Sequence, residues 1–150
     1  IRDSSLGSWT DFVGDEYKAF SGTAVYTTTI NKVPVADVIK LDLGFVAENA
    51  SVYLNGDYIG TVIDSPYQLY IPAEKFKGQD ELVVRVANSM ANRIAYMDKK
   101  GVDWKIFYNV NMSARKKENV KNGIFDASDW EPKSSGLLGP VTLTPAMVKQ

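Results

Sequence analysis

The sequence predicts an all-β sandwich, and three observations carry that prediction. In the run from Leu41 to Thr61, Val52 and Leu54 alternate with Ser51 and Tyr53, and Asn55-Gly56 follows at once, leading into a second β-rich run from Tyr58 to Ile63. Asn-Gly between two such runs is the strongest short-range hairpin signal, because a type I′ turn needs positive φ at both central residues. Next, about seven short β-rich segments recur with turn signals roughly every 8–12 residues, which is the rhythm of a sandwich. Finally, 45% hydrophobic and 23% charged residues over 150 positions suffice for one buried core, so a single domain spanning 1–150 is expected.

Taken in order, Trp9-Thr10-Asp11-Phe12 reads as a short edge strand. Residues 23–30 are rich in β-branched and aromatic types, with Ala24, Tyr26, Thr28 and Ile30 on one face of a strand. In Val38 to Leu43, Ile39, Leu41 and Leu43 point inward while Lys40 and Asp42 point outward. Tyr67 to Ile71 forms a further strand, and Pro72 opens a single helical turn ending near Phe76. Leu82, Val84 and Val86 face the core from the strand Glu81 to Ala87. From Asn88 to Gly136 the alternation stops, apart from Trp104 to Val110, and this reads as a long irregular insertion before a last strand, Val141 to Thr144. Such long loops are often functional.

Composition narrows the chemistry. The chain has neither cysteine nor histidine, so thiolate nucleophiles, serine triads and imidazole- or thiolate-ligated metals cannot be built from it alone. A net charge of −1 argues against nucleic acid or an anionic membrane as partner, and no apolar run is long enough to span a bilayer. The basic run Arg115-Lys116-Lys117, with Lys121 nearby, is interrupted by Glu118 and reads as a solvated loop. The chain begins at Ile1 and is expected to be a piece of something larger.

Several strings together resemble a known pattern: Leu41-Asp-Leu-Gly44, Ala50-Ser-Val-Tyr-Leu-Asn-Gly56, Gly60-Thr-Val-Ile-Asp-Ser-Pro-Tyr67, Asp80 to Asn88 with Asn92-Arg93, and Ser135-Gly-Leu-Leu-Gly-Pro-Val-Thr-Leu143. They are similar to the galactose-binding-domain-like jelly-roll β-sandwich of bacterial glycoside hydrolases. The likeness is to the accessory sandwich of family 2 glycosidases and the terminal domain of family 106-like α-L-rhamnosidases. It covers about residues 20–145, with Arg115 to Trp130 departing from the short loop of that pattern. The resemblance implies a non-catalytic accessory domain of a secreted or periplasmic enzyme acting on polysaccharide. Its partners would be the parent catalytic domain and carbohydrate. The alternative is a docking module that packs on the catalytic domain without binding sugar.

Candidate residues follow from the chemistry of sugars, whose C–H faces stack on aromatic rings while their hydroxyls need planar polar groups. Trp104, Phe107, Tyr108 and Trp130 supply rings in the aperiodic region, and Asn88, Asn92 and Arg93 supply donors and acceptors. Each has a competing structural role: the rings can cap the sandwich, and the polar groups can tie down irregular chain, Arg93 by pairing with Asp103 or Asp126. Asp126, Asp129 and Glu131 form the densest acidic spacing, which suits solvated acids, a structural Ca²⁺ or, least, an acid–base pair. No other cofactor is expected.

Overall fold

The computed structural model describes residues 5–106 and 116–146, so Phe107, Tyr108 and Arg115 lie outside the described residues. The chain divides into two compact units, one formed by the stretches through Trp9, Gly22–Asn88 and from Ser134 onward, the other by Thr10–Ser21 and Ser89–Lys133.

The first unit is an antiparallel sandwich. Its larger sheet has the order β1 (Thr23–Ile30), β7 (Asp80–Ala87), β4 (Asn49–Leu54), β5 (Asp57–Val62). A three-stranded sheet places β2 (Val38–Asp42) between β11 (Thr142–Ala146) and β6 (Gln68–Pro72), and β3 (Phe45–Ala47) pairs with β10 (Gly136–Gly139). Inward residues from both larger sheets meet in one core. Leu41 and Ile71 come from the three-stranded sheet, and Val52, Leu54, Val84 and Val86 from the four-stranded one. Val52 and Val86 are fully buried, while Ser51, Tyr53 and Arg85 on the same strands face outward. Each such buried aliphatic side chain contributes about 1.5–3 kcal/mol.

The predicted hairpin is present. β4 and β5 are joined by Asn55 at φ 53° and Gly56 at φ 85°, both in the left-handed region that an L-residue other than asparagine or aspartate enters reluctantly. Asp80, only 1% exposed, anchors this turn from the neighbouring strand. Its carboxylate accepts the Asn55 side-chain amide at 2.7 Å and the backbone N–H groups of Lys77 at 2.8 Å and Gly78 at 3.1 Å. Burial alone would raise this carboxyl, but the three hydrogen bonds and the Lys77 charge outweigh it and hold it below the usual aspartate range.

Three sequence expectations are corrected. Trp9–Asp11 forms a 3-10 turn, not an edge strand: the Ser135 carbonyl accepts the Trp9 N–H at 3.0 Å but Ser135 gives its own N–H to the Ser8 hydroxyl at 2.9 Å, so no strand ladder forms there. Trp104 to Ile106 is not strand. The insertion is not irregular throughout, since it holds a nine-residue helix, Ala91–Lys99, and a small hairpin. The helix escapes a periodicity reading because its buried positions are Asn92 and Ala95, a polar residue and a small one, with no apolar stripe between them.

Candidate functional site

The second unit contains α1 (Asp15–Lys18), α2 (Ala91–Lys99), a 3-10 turn at Lys117–Asn119, β8 (Val120–Lys121) and β9 (Ile124–Phe125). β8 and β9 are joined by Asn122 at φ 52° and Gly123 at φ 79°, a second turn of the Asn55-Gly56 kind. This hairpin delivers Phe125 into a small core with Ala127, against which Ile94, Trp104 and Trp130 pack. Phe125 and Trp130 meet edge to face, with ring centroids 5.8 Å apart.

Both tryptophans have their polar edges satisfied. Trp130 donates its indole N–H to the Asn119 side-chain carbonyl at 2.9 Å. Trp104 donates to Asp98 Oδ1 at 2.7 Å, an oxygen that also takes Lys105 Nζ at 2.6 Å, while Asp98 Oδ2 accepts the Ala127 backbone N–H at 2.8 Å. The Asp98 side chain is 1% exposed, so this carboxylate fastens α2 to both the Trp104 segment and the chain after β9. On the first turn of α2, buried Asn92 donates to the Lys133 carbonyl and accepts the Lys133 N–H, each at 2.8 Å.

Around these groups lies an open hollow of about 370 Å³, lined by Ala91, Asn92, Lys116, Glu118, Asn119, Trp130, Glu131 and Lys133. It offers one aromatic wall, two amide side chains, two ammonium groups and two carboxylates. That set can stack a sugar ring and hydrogen-bond its hydroxyls in several directions.

The structure brings together two of the sequence candidates, Asn92 and Trp130, in this hollow. Trp104 packs half-buried against Phe125 and Ala127, with its N–H committed to Asp98. Arg93 is exposed on α2 with its guanidinium over the Tyr96 ring at 5.8 Å, rather than against Asp103 or Asp126. Asn88 belongs to the sandwich unit, accepting the Gly22 N–H at 3.0 Å and donating to Ser135 Oγ at 3.1 Å. Tyr108 lies outside the described residues.

The acidic trio separates. Lys121 Nζ reaches Asp126 at 3.3 Å and Asp129 at 3.0 Å, whereas Glu131 lines the hollow. Among the described residues no group of three acidic side chains is placed to hold a metal ion. Asp126 is held below the usual aspartate range, chiefly by the Ser128 hydroxyl and then by the Ser128 backbone N–H and Lys121. Lys116, Glu118, Asn119 and Lys133 were missed from sequence. The Asn122-Gly123 pair is a signal that could have located the hairpin that follows Lys116, Glu118 and Asn119, and nothing in the sequence singles out Lys133.

Fold and site define an antiparallel β-sandwich module that carries a second, smaller unit with one aromatic and polar hollow. No family model matches the chain. It is 33% identical over 158 residues to a protein of Formosa agariphila named "Putative beta-glucuronidase", covering 95% of this chain and 14% of that one. The solved rhamnosidase of Novosphingobium sp. PP1Y shares 29% identity and a TM-score of 0.75 over 95% of this chain, which corresponds to 13% of the rhamnosidase. The chain thus spans about one seventh of the curated relative it matches. The resemblance to a small β-sandwich accessory domain of glycoside hydrolases holds: the likeness runs through nearly the whole chain but only a small part of each relative.

Proposed function

We propose that the chain serves as a non-catalytic accessory domain of a polysaccharide-degrading glycoside hydrolase, secreted or periplasmic, and that its hollow holds carbohydrate. The observation that carries this reading is the likeness itself, 95% of this chain against 14% of a relative named for glycoside cleavage. Within the hollow, Trp130 is the platform for a pyranose ring. Its N–H is already taken by Asn119, so the indole is held in one orientation before any sugar arrives. Lys116, Lys133, Glu118 and Glu131 supply the hydroxyl partners around it.

Affinity electrophoresis through gels loaded with neutral plant and host polysaccharides tests this. The chain is expected to be retarded by at least one polysaccharide, and Trp130→Ala is expected to abolish the retardation while circular dichroism stays unchanged. Retardation by none of them would overturn sugar binding.

A second reading, docking on the parent catalytic domain, is favoured by Phe45, which is 53% exposed beside Tyr67 with ring centroids 6.3 Å apart. In the parent enzyme, Phe45→Ser would then lower the melting temperature without touching glycan affinity.

A further inference from the structure

The outward face of the four-stranded sheet carries a feature separate from the hollow. Strand register aligns Val25, Arg85, Ser51 and Thr61 in one row across β1, β7, β4 and β5, and Thr27, Val83, Tyr53 and Tyr58 in the next. Tyr53 and Tyr58 pair at 5.5 Å between ring centroids, tilted by 59°, and Tyr58 is 59% exposed. The Arg85 guanidinium sits 5.7 Å from the centre of the Tyr53 ring. Beside it the Ser51 and Thr61 hydroxyls meet at 2.8 Å, and Thr61 meets the Tyr58 hydroxyl at 2.9 Å.

Arg85 is the informative residue. None of the ion pairs among the described residues includes it, although it stands exposed in the middle of a face of hydroxyls and rings. Glu81, on the same face of β7, is four residues away and roughly 13 Å along the strand, too far to neutralise it. A guanidinium within cation–π range of a ring, and in no ion pair among the described residues, keeps N–H donors for a planar carboxylate. The neighbouring tyrosines offer stacking surface, and the hydroxyls of Ser51, Thr61 and Tyr58 match sugar hydroxyls.

We propose that this face binds an acidic glycan chain, with Arg85 taking a uronate carboxylate and Tyr53 and Tyr58 stacking an adjacent sugar ring. A protein partner fits less well, because hydroxyls outnumber exposed aliphatic groups across these two rows. The proposal does not depend on the hollow.

The test is calorimetric titration of the 150-residue chain with a polyuronate oligosaccharide, a neutral oligosaccharide of equal length and a sulfated one. The polyuronate is expected to bind best, with Arg85→Gln and Tyr58→Ala each weakening it at least about fivefold. Trp130→Ala is expected to leave that binding unchanged, which separates this face from the hollow. Three results would overturn the proposal: no polyuronate binding, full binding by the Arg85 and Tyr58 variants, or sulfated-oligosaccharide binding of equal strength that ignores Tyr58. The last would mark mere attraction between charges.

Discussion

Asn92 and Lys133 bond to each other as two paired strand residues would, the asparagine amide donating to the Lys133 carbonyl and accepting its N–H, both at 2.8 Å. The two residues are 41 positions apart. A side chain therefore closes the smaller unit where no backbone ladder does. Asn92 also borders the hollow, so its first duty is to hold the wall.

Asn92→Ala removes both hydrogen bonds to the Lys133 backbone, and at about 0.5–1.5 kcal/mol for each is expected to cost about 1–3 kcal/mol. Asn92→Asp keeps the acceptor and loses the donor, so its loss should be of the same sign. Urea denaturation followed by tryptophan fluorescence measures both. Stability equal to wild type in Asn92→Ala would contradict the structural role.

Asp98 is the corresponding anchor at the other end of α2. Removing it as Asp98→Ala orphans the Trp104 and Ala127 N–H groups and leaves the Lys105 ammonium, 17% exposed, without its carboxylate. A loss on the order of 3 kcal/mol is expected. Hydrogen exchange should show it as lost protection in residues 91–106 and 124–130, with β4 and β7 unaffected.

Acid should weaken the protein partly through Asp80. Its folded-state carboxyl lies below the unfolded value, so its contribution is complete above the unfolded pKa, about 3.9, and is lost as pH falls through the lower folded value. Asp126 adds a contribution of the same sign in the smaller unit. Denaturant midpoints from pH 7 down to 2 should therefore fall at the acid end. Asp80→Asn should start about 1–3 kcal/mol lower at neutral pH and lose less on acidification. An acid limb as steep as in wild type would contradict this account.

Gly44 tests the close approach between the β2–β3 junction and the end of β10. Its φ is 65°, and a Cβ there would collide with the backbone carbonyl of Gly139, with which it forms a bridge. No side chain can move aside to relieve that collision. Gly44→Ala is expected to cost more than about 2 kcal/mol by thermal melting.

The sandwich was legible in the sequence because its signals are local. Alternation places Val52, Leu54, Val84 and Val86 inward without knowledge of any distant residue, and Asn55-Gly56 fixes its own register. The smaller unit is built otherwise. Its helix buries Asn92, its hairpin strands are two residues each, and its closures run between side chains and distant backbone. Asn122-Gly123 carried the same turn signal as Asn55-Gly56, but its flanking strands of two residues each are too short to show alternation. Trp104 and Trp130 read alike as rings in an aperiodic stretch. Only their partners, Asp98 for one and Asn119 for the other, and the hollow beside Trp130 distinguish them.

The measurement that tests the central claim most directly is proton–nitrogen correlation NMR of the chain during titration with the polysaccharide-derived oligosaccharide that retards it best. The three tryptophans give three indole N–H signals, those of Trp9, Trp104 and Trp130. Sugar in the hollow should shift the Trp130 indole and the side-chain amides of Asn92 and Asn119, leaving the Trp9 and Trp104 indoles in place. Saturable binding that leaves the Trp130 indole unmoved would contradict the assignment of the hollow as the carbohydrate site.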